Sequence, residues 1–436
     1  MKEIAKTKNP LVLSNQFKLI LGEMEASKEP LYITGRAGTG KSTLLRLFRK
    51  TTKSRVVVVA PTGIAALNVQ GQTIHSFFGF PPKLLHPSDI NRRRNFRMYR
   101  KIDILVIDEI SMVRADMLDN IDRFLRINRG NPYEAFGGVK LICFGDLFQL
   151  PPVIGTQEER EYLRTHYETP YFFSAHVFQE GYELCIHELH QVFRQTDRGF
   201  INILDNVRTQ SIDYDDIQDL NNQIIDDEFD DSFYITMCAR NAQVQKINKE
   251  KLAEVNTEEF QYLARVTGNF SERVFPTELN LKLRVGAQVM FIKNDPDKNF
   301  VNGTVGMVKE LDNDKVVVQI VDQQGLIKNI NVERITWEII KYKPDPSNDK
   351  LLKSDVIGSF NQYPLKLSWA ITIHKSQGKT FDRAIIDFGK GAFESGQAYV
   401  ALSRIRTLEG VALRQAITPR DIFVDPRISE FHLNNR

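Results

Sequence analysis

Residues 35–42 have the spacing of a phosphate-binding loop: four residues separate Gly35 from Gly40, and Lys41 and Ser42 follow Gly40 directly. Glycines let successive backbone N–H groups wrap around an anion, and a lysine at this point reaches the β- and γ-phosphates of a nucleotide. The serine hydroxyl is placed to bind Mg²⁺ at a helix N-terminus. An apolar run precedes the loop and a helical stretch follows, so a chance glycine turn is the weaker interpretation. The predicted nucleotide contacts here are Gly35, Ala37, Gly38, Thr39, Gly40, Lys41, Ser42 and Thr43.

Two adjacent carboxylates, Asp108 and Glu109, follow a second apolar run. Ligands of parallel sheets bind outside the carboxyl ends of the strands, which places this pair near a bound nucleotide. Asp108 is predicted to hold the metal ion through water, and Glu109 to orient and deprotonate the attacking water. Adjacent acids after a strand are also common as a helix cap and a first-turn acid. The phosphate loop upstream favours the catalytic interpretation.

A neutral amide, Gln149, follows a third apolar run. It is suited to hydrogen-bond the γ-phosphate or the attacking water, although a simple turn closed by proline fits the string equally well. Phosphoryl transfer also needs positive charge that arrives when the site closes, and arginine fingers supply it. Arg194 and Arg404 are the candidates from the second half of the chain, although single arginines lie on the surface far more often.

Apolar runs that alternate with helical stretches must position these groups. Over the first 190 residues they predict a parallel sheet in an α/β fold, and runs at 233–238, 367–372 and 384–388 predict a second doubly wound sheet. Alternation and hairpin turns from about 259 to 353 predict an inserted antiparallel β domain. The predicted division is domain 1A at 1–181 with a small inserted wedge, 1B, at 64–86; domain 2A at 182–256 and 355–436; domain 2B at 257–354; and a linker at 344–349.

The composition is that of an ordinary folded protein, with 436 residues, 58 basic and 55 acidic side chains and a formal charge of +3. It contains no run of about 18 apolar residues, which argues against a membrane span, and no apolar stretch follows the basic start, so a secretory signal is not expected. Three cysteines are too few for a disulfide framework, which predicts a reducing, cytoplasmic compartment. The segment 211–231 holds nine acidic residues and no basic one, so the net charge does not exclude a nucleic-acid partner.

Seven segments resemble, in chain order, the motifs of superfamily-one DNA helicases. They are 35–42, 60–66, 73–77, 108–109, 145–152, 372–378 and 399–404. Within that superfamily the chain is most similar to the PIF-one (petite integration frequency) branch, a relative of the RecD-type 5′-to-3′ translocases. The branch-specific segments are 136–153, 283–290 and 302–306. The family often has a proline where Ala135 stands.

The resemblance implies two RecA-like domains that close on ATP and Mg²⁺, an SH3-like fold for domain 2B, and a wedge at 77–82 that parts the duplex. It implies that Gln16 reads the adenine edge, that Gly378 contacts the γ-phosphate side, and that Arg194 and Arg404 are the two fingers. The residues implied to face single-stranded DNA are Thr62, Thr73, His75, Phe77, His374 and Lys375.

The residues themselves support the DNA contacts less strongly than the resemblance does. Hydroxyls, histidine, lysine and aromatics at strand ends suit a grip through phosphate contacts and stacking. The three aromatics and two prolines at 77–82 suit either a stiff wedge or a small core beneath a loop. His374 and Lys375 are equally suited to capping a helix.

The resulting interpretation is an ATP-dependent 5′-to-3′ DNA helicase, monomeric in solution, that acts on single-stranded and forked or structured DNA. The resemblance alone suggests G-quadruplex or RNA–DNA hybrid substrates and work in repair, replication or telomere-type maintenance. The rivals are a P-loop ATPase that remodels protein or binds nucleic acid without unwinding it, which the set at 374–378 with Arg404 disfavours, and an RNA-preferring relative. The acidic segment 211–231 is expected to lie away from the DNA path.

Overall fold

Short apolar runs form the first sheet, in a computed structural model that describes residues 14–295, 299–321, 325–344 and 352–435. Its strands are β1 (Leu31–Gly35), β2 (Val56–Ala60), β3 (Gln72–Thr73), β4 (Ile104–Ile107), β5 (Lys140–Phe144) and β6 (Cys185–Leu189). Within the described residues the order is β3-β2-β4-β5-β1-β6, and all neighbouring strands are parallel. β1 and β4 are buried throughout because helices cover both faces of such a sheet.

Amphipathic helices cover this sheet. In α2, for example, Leu44, Leu45 and Phe48 recur at helical spacing and are buried. The helices of this part are α1 (Asn15–Ala26), α2 (Lys41–Thr51), α3 (Gly63–Asn68), α4 (Ile74–Phe78), α5 (Phe96–Tyr99), α6 (Ala115–Arg129), α7 (Gln157–His166) and α8 (His176–Gln179).

The predicted boundary after residue 181 is wrong, because β6 belongs to the first sheet. Leu31 to Gly35 pair in parallel with Cys185 to Leu189 along their whole length. The apolar run at this strand was recognisable, but its pairing partner lies about 150 residues upstream and leaves no local signal. The first domain therefore extends to at least residue 189.

The predicted wedge at 64–86 is not a separate insertion, since β3 continues the first sheet beside β2. Phe77, Phe78 and Phe80 are buried in the core. Phe77 meets Phe78 and Tyr99 edge to face, with ring centroids 4.8 and 5.6 Å apart. The packing interpretation is therefore the correct one for these rings, and the prediction that Phe77 faces DNA is wrong for this structure.

The inserted β domain is present, and its predicted end at residue 354 is wrong. β16 runs through that position, and β17 closes a sheet against β11, so the domain continues to residue 367. Residues 345–349 of the predicted linker lie outside the described residues. The strands are β7 (Ile235–Cys238), which precedes the insertion, and within it β8 (Glu259–Leu263), β9 (Arg265–Gly268), β10 (Asn280–Arg284), β11 (Gln288–Phe291), β12 (Val305–Asp312), β13 (Lys315–Val321), β14 (Ile327–Asn331), β15 (Ile335–Pro344), β16 (Leu352–Gln362) and β17 (Leu365–Leu367).

The second parallel sheet has the order β18-β7-β19-β20 across the described residues. The strands that complete it are β18 (Ala370–Thr372), β19 (Ala384–Asp387) and β20 (Val411–Leu413). The remaining helices are α9 (Arg198–Thr209), α10 (Tyr214–Asn221), α11 (Asn241–Glu254), α12 (Ile373–Ser376), α13 (Gln397–Ser403) and α14 (Pro426–Asn434). In the described parts of the chain, no helix is both long and apolar enough to cross a membrane.

Two features lie at the edges of this second part. The acidic segment 211–231 runs along β20, where Ile225 donates its N–H to the carbonyl oxygen of Leu413 at 3.0 Å. This edge is opposite β18. Helix α14 instead returns to the first domain, where Phe431 stacks on Phe173 with ring centroids 4.4 Å apart.

Candidate active site and nucleic-acid interface

The phosphate loop connects β1 to α2, with Gly40 as the N-cap of the helix. Gly38 adopts φ +85°, in the left-handed region that favours glycine, and a Cβ added there would lie 2.6 Å from Cβ of Arg194. The N–H of Phe193 donates to the carbonyl oxygen of Gly38 at 2.9 Å. The segment that follows β6 is therefore packed directly on the loop, and a side chain at position 38 would separate them.

Lys41 points back over this loop. Its Nζ donates to the carbonyl oxygen of Arg36 at 3.0 Å and to that of Gly35. Desolvation lowers the pKa of Lys41, and the charges of Asp146 and Glu109 oppose that shift. An ammonium group beside a helix N-terminus is the arrangement that binds nucleotide phosphates.

Asp108 and Glu109 stand at the carboxyl end of β4 as predicted. Burial and then the neighbouring charge of Glu109 raise the pKa of Asp108 to about 8, and burial raises the pKa of Glu109. Glu109 has φ +52°, a strained conformation for a residue with a side chain. These two crowded carboxylates and the hydroxyl of Ser42 are hard oxygen donors, so their chemistry fits Mg²⁺.

Gln149 is buried, and its Nε2 donates to Oδ2 of Asp146 at 3.4 Å. Asp146 is fully buried and is paired with Arg208 of α9. Burial alone would raise the pKa of Asp146, but the charges of Arg208 and Lys41 hold it below its ordinary value. The sequence analysis missed both Asp146 and Arg208, although Asp146 stands inside the segment 145–152 that carries the resemblance.

The two predicted arginine fingers lie side by side between the domains. Nη1 of Arg194 donates to the carbonyl oxygen of Ser403 at 2.7 Å. Arg404 is 2% exposed and folds onto its own helix, with Nε 3.0 Å from the carbonyl oxygen of Val400. Burial lowers the pKa of Arg404, while the charge of Glu109 is among the influences that raise it. Arg404 is thus near Glu109, and Arg194 lies against the loop at Gly38, but both arginines donate to α13.

Two residues taken from the resemblance have other contacts in this structure. Nε2 of Gln16 donates to the carbonyl oxygen of Glu188 at 2.7 Å, so β6 holds this amide. Gly378 has φ +74°, and the nearest atom to a Cβ added there is Nδ2 of Asn68 in α3, at 3.8 Å. The predicted contact of Gly378 on the γ-phosphate side stays a prediction.

The predicted DNA-facing residues other than Phe77 lie at the carboxyl ends of strands in both sheets. Thr62 follows β2 and is the N-cap of α3, and Thr73 ends β3 and is the N-cap of α4; each hydroxyl accepts a backbone N–H of its helix. His75 is half-buried, and burial and then Arg114 lower its pKa. His374 pairs with Glu394 at 2.7 Å, and Lys375 is exposed.

The sequence analysis also missed Lys379, which lies one residue beyond the motif segment 372–378. It is buried between the second sheet and the β domain, where its Nζ donates to Oδ1 of Asn302 at 3.1 Å. Burial, and then the charge of Lys366, lowers its pKa to about 8. A buried lysine near another lysine is a site that favours an anion.

Two parallel sheets, one with a phosphate loop and the other with a helix that places Arg404 near the loop lysine, define a nucleotide-driven motor of the RecA-like type. The PIF1-like helicase family model matches residues 14–216, and the model for the 2B domain of the DNA helicase Pif1 matches 272–311. The chain belongs to this family of ATP-dependent DNA helicases.

Curated relatives and solved structures agree. The ATP-dependent DNA helicase Pif1 of Bdellovibrio bacteriovorus is 30% identical over 93% of this chain and 88% of its own length. The PIF1 helicase of Emericella nidulans is 30% identical over 98% of this chain, which spans only 63% of that protein. Bacteroides Pif1 in complex with ADP-AlF4 is 39% identical over 98% of this chain and 97% of its own, with a TM-score of 0.88. The same helicase bound to single-stranded DNA is 39% identical over 98% and 97%, with a TM-score of 0.69.

Proposed function

We propose that the chain hydrolyses ATP with Mg²⁺ between its two RecA-like domains and uses the cycle to move 5′ to 3′ along single-stranded DNA, unwinding duplex ahead of it. The observation that carries this proposal is that Arg194, which lies against the phosphate loop at Gly38, donates to the carbonyl oxygen of Ser403 in the second domain. A site built from both domains is one whose closure depends on the nucleotide. A P-loop ATPase with one domain would lack the second set of contacts.

The roles follow from the chemistry of each group. Lys41 neutralises the β- and γ-phosphates, while Ser42 and Asp108 would hold the metal ion, which would supply further positive charge to the phosphates. Glu109 orients the attacking water and accepts its proton. Gln149 links the site to Asp146, and Arg194 and Arg404 bring positive charge when the domains close.

Strand ends of both sheets grip the DNA in this proposal. Thr62, Thr73 and His75 belong to the first domain, and His374 and Lys375 to the second. Movement along DNA requires that ATP bind the closed form more tightly than the open form, so that the two domains alternate in holding the strand. The acidic segment beside β20 lies at the edge opposite β18, which supports the expectation that it stays off the DNA path.

The first test is ATP turnover with and without single-stranded DNA, with Lys41→Ala as the control that should abolish turnover in a folded chain. No stimulation by DNA would overturn the helicase proposal. Duplexes with a single tail test polarity, for which the resemblance is the support. We expect unwinding with a 5′ tail, and unwinding only with a 3′ tail would reverse the assignment.

We further propose a monomer in solution that works in a reducing, cytoplasmic compartment on forked or structured DNA in repair, replication or telomere-type maintenance. Sedimentation with and without forked DNA tests the oligomeric state, since one similar solved structure concerns the unwinding of forked duplex DNA by two coordinating Pif1 helicases. Rates on matched DNA duplexes, RNA–DNA hybrids and G-quadruplexes, at one salt concentration, test the substrate preference.

A further inference from the structure

A tyrosine of the second domain holds one of the amides of the phosphate loop. The N–H of Ala37 donates to the hydroxyl oxygen of Tyr399 at 2.9 Å, in a buried contact between residues 362 positions apart. Tyr399 lies on α13, in which every residue is buried. The contact therefore connects the loop to a helix that is packed on all sides.

Amides of this loop are the groups that bind nucleotide phosphates. One N–H has one hydrogen, so a phosphate oxygen that accepts it fully must replace the tyrosine hydroxyl. α13 ends at Ser403 with Arg404 as its C-cap, and Arg194 donates to the carbonyl oxygen of Ser403. A change at Tyr399 is thus transmitted to the helix that both arginines contact.

We propose that Tyr399 is a positioning residue that exchanges with a nucleotide phosphate at the Ala37 amide, and so links nucleotide binding to the movement of α13 and Arg404. This inference rests on the proposed nucleotide site. Arg404 donates to Val400 of its own helix and cannot turn to a phosphate until that contact opens. Release of Tyr399 is the event that loosens the helix.

The chain offers a matched control for this contact. The N–H of Val58 donates to the hydroxyl of Tyr342 at 3.2 Å, and this contact also joins the first domain to a buried tyrosine of the second half. Val58 lies in β2 rather than in the phosphate loop. Tyr342→Phe removes the same kind of hydrogen bond without touching the nucleotide site.

The test measures binding of a fluorescent ADP analogue with Mg²⁺ and no DNA. Tyr399→Phe should bind it about three- to ten-fold more tightly, because the Ala37 amide lacks a partner only before the nucleotide arrives. Tyr342→Phe should bind as the wild type does. In thermal unfolding, each variant should have a lower melting temperature than the wild type. For Tyr399→Phe this difference should disappear at saturating ADP, whereas for Tyr342→Phe it should persist. Unchanged or weaker ADP binding by Tyr399→Phe would overturn the inference.

Hydrogen exchange on the wild type covers the case in which Tyr399→Phe does not fold. ADP should protect the loop amides and at the same time accelerate exchange in α13, whereas unchanged exchange in α13 would contradict the inference. A wild type that fails to bind the analogue, or a Lys41→Ala variant that binds it equally well, would instead refute the nucleotide site itself.

Discussion

Arg208 donates from both Nε and Nη2 to Oδ1 of Asp146, at 3.3 and 3.0 Å, across 62 positions of sequence. The same guanidinium lies over the ring of Phe148, with Cζ 4.4 Å from its centroid. Asp146 is also the partner of Gln149. A helix outside the first sheet therefore fixes the group predicted to respond to the γ-phosphate.

Arg208→Met should destabilise the fold by about 3–5 kcal/mol at pH 7.5, because it leaves a buried carboxylate unpaired. The depressed pKa of Asp146 means that the wild type gains stability from this pair above the ordinary carboxyl pKa and loses it as the pH falls. The gap in unfolding free energy between variant and wild type should therefore narrow only as the pH falls below about 4, as measured by urea unfolding. Arg36→Met, which breaks a partly exposed pair with Asp205, should cost about 1 kcal/mol or less.

Arg404→Ala should lower ATP hydrolysis by about a thousand-fold or more while the affinity for ATP stays nearly unchanged, because a finger acts on charge that develops in the transition state. Turnover at saturating ATP, with single-stranded DNA, measures this. Arg406→Ala is the matched control, since Arg406 is half-buried and pairs with Asp382 rather than with α13. An equal loss of ATP turnover in Arg404→Ala and Arg406→Ala would contradict the role of Arg404 as an arginine finger.

Phe78→Ala should destabilise the protein by about 3–5 kcal/mol, because the ring is fully buried among aromatics. DNA-stimulated ATPase and unwinding should then fall together at temperatures where the fold is lost. Tyr133→Ala, at a fully solvated ring, should stay within about 0.5 kcal/mol of the wild type. A selective loss of unwinding in a stable Phe78→Ala protein would restore the wedge interpretation.

Lys379→Met should stabilise the protein by about 3 kcal/mol at pH 7, because the lysine is protonated there at a buried site whose pKa is lowered to about 8. Between pH 8 and about 10.5 the unfolded chain binds the additional proton, so wild-type stability should rise with pH across that window. In Lys379→Met, the unfolding free energy measured by chemical denaturation should not rise across this pH window. Lys375→Met, at an exposed side chain, should keep it.

Much of the fold was predictable from local patterns, whereas pairings between distant residues were not. The spacing of 35–42 is set by the shape of a phosphate and is complete within eight residues, so the loop and its helix were correctly predicted. By contrast, β6 pairs with β1, and Arg208 pairs with Asp146, through contacts that no local spacing encodes.

The aromatic cluster shows a different limit. Phe77 and its neighbours are suited equally to an exposed wedge and to a buried core. They are buried because Tyr99 and Phe124, from other helices, pack against them. Likewise the motif around Arg404 predicted an arginine at the interface but not its present hydrogen bonds to α13. The sequence therefore predicted which residue types lie at the site and roughly where they lie. The direction of each side chain depends on packing between elements that are distant in sequence.

The return of α14 to the first domain has a mechanical consequence. Besides the chain crossing that follows β6, the second domain is fastened by Phe431 on Phe173 and by the hydroxyl of Tyr171 on Asp425, at 3.1 Å. A domain held at a single point can rotate in any direction, whereas a domain held at two points rotates only about the line that joins them. While both contacts hold, we expect the second domain to open and close by rotation about that line.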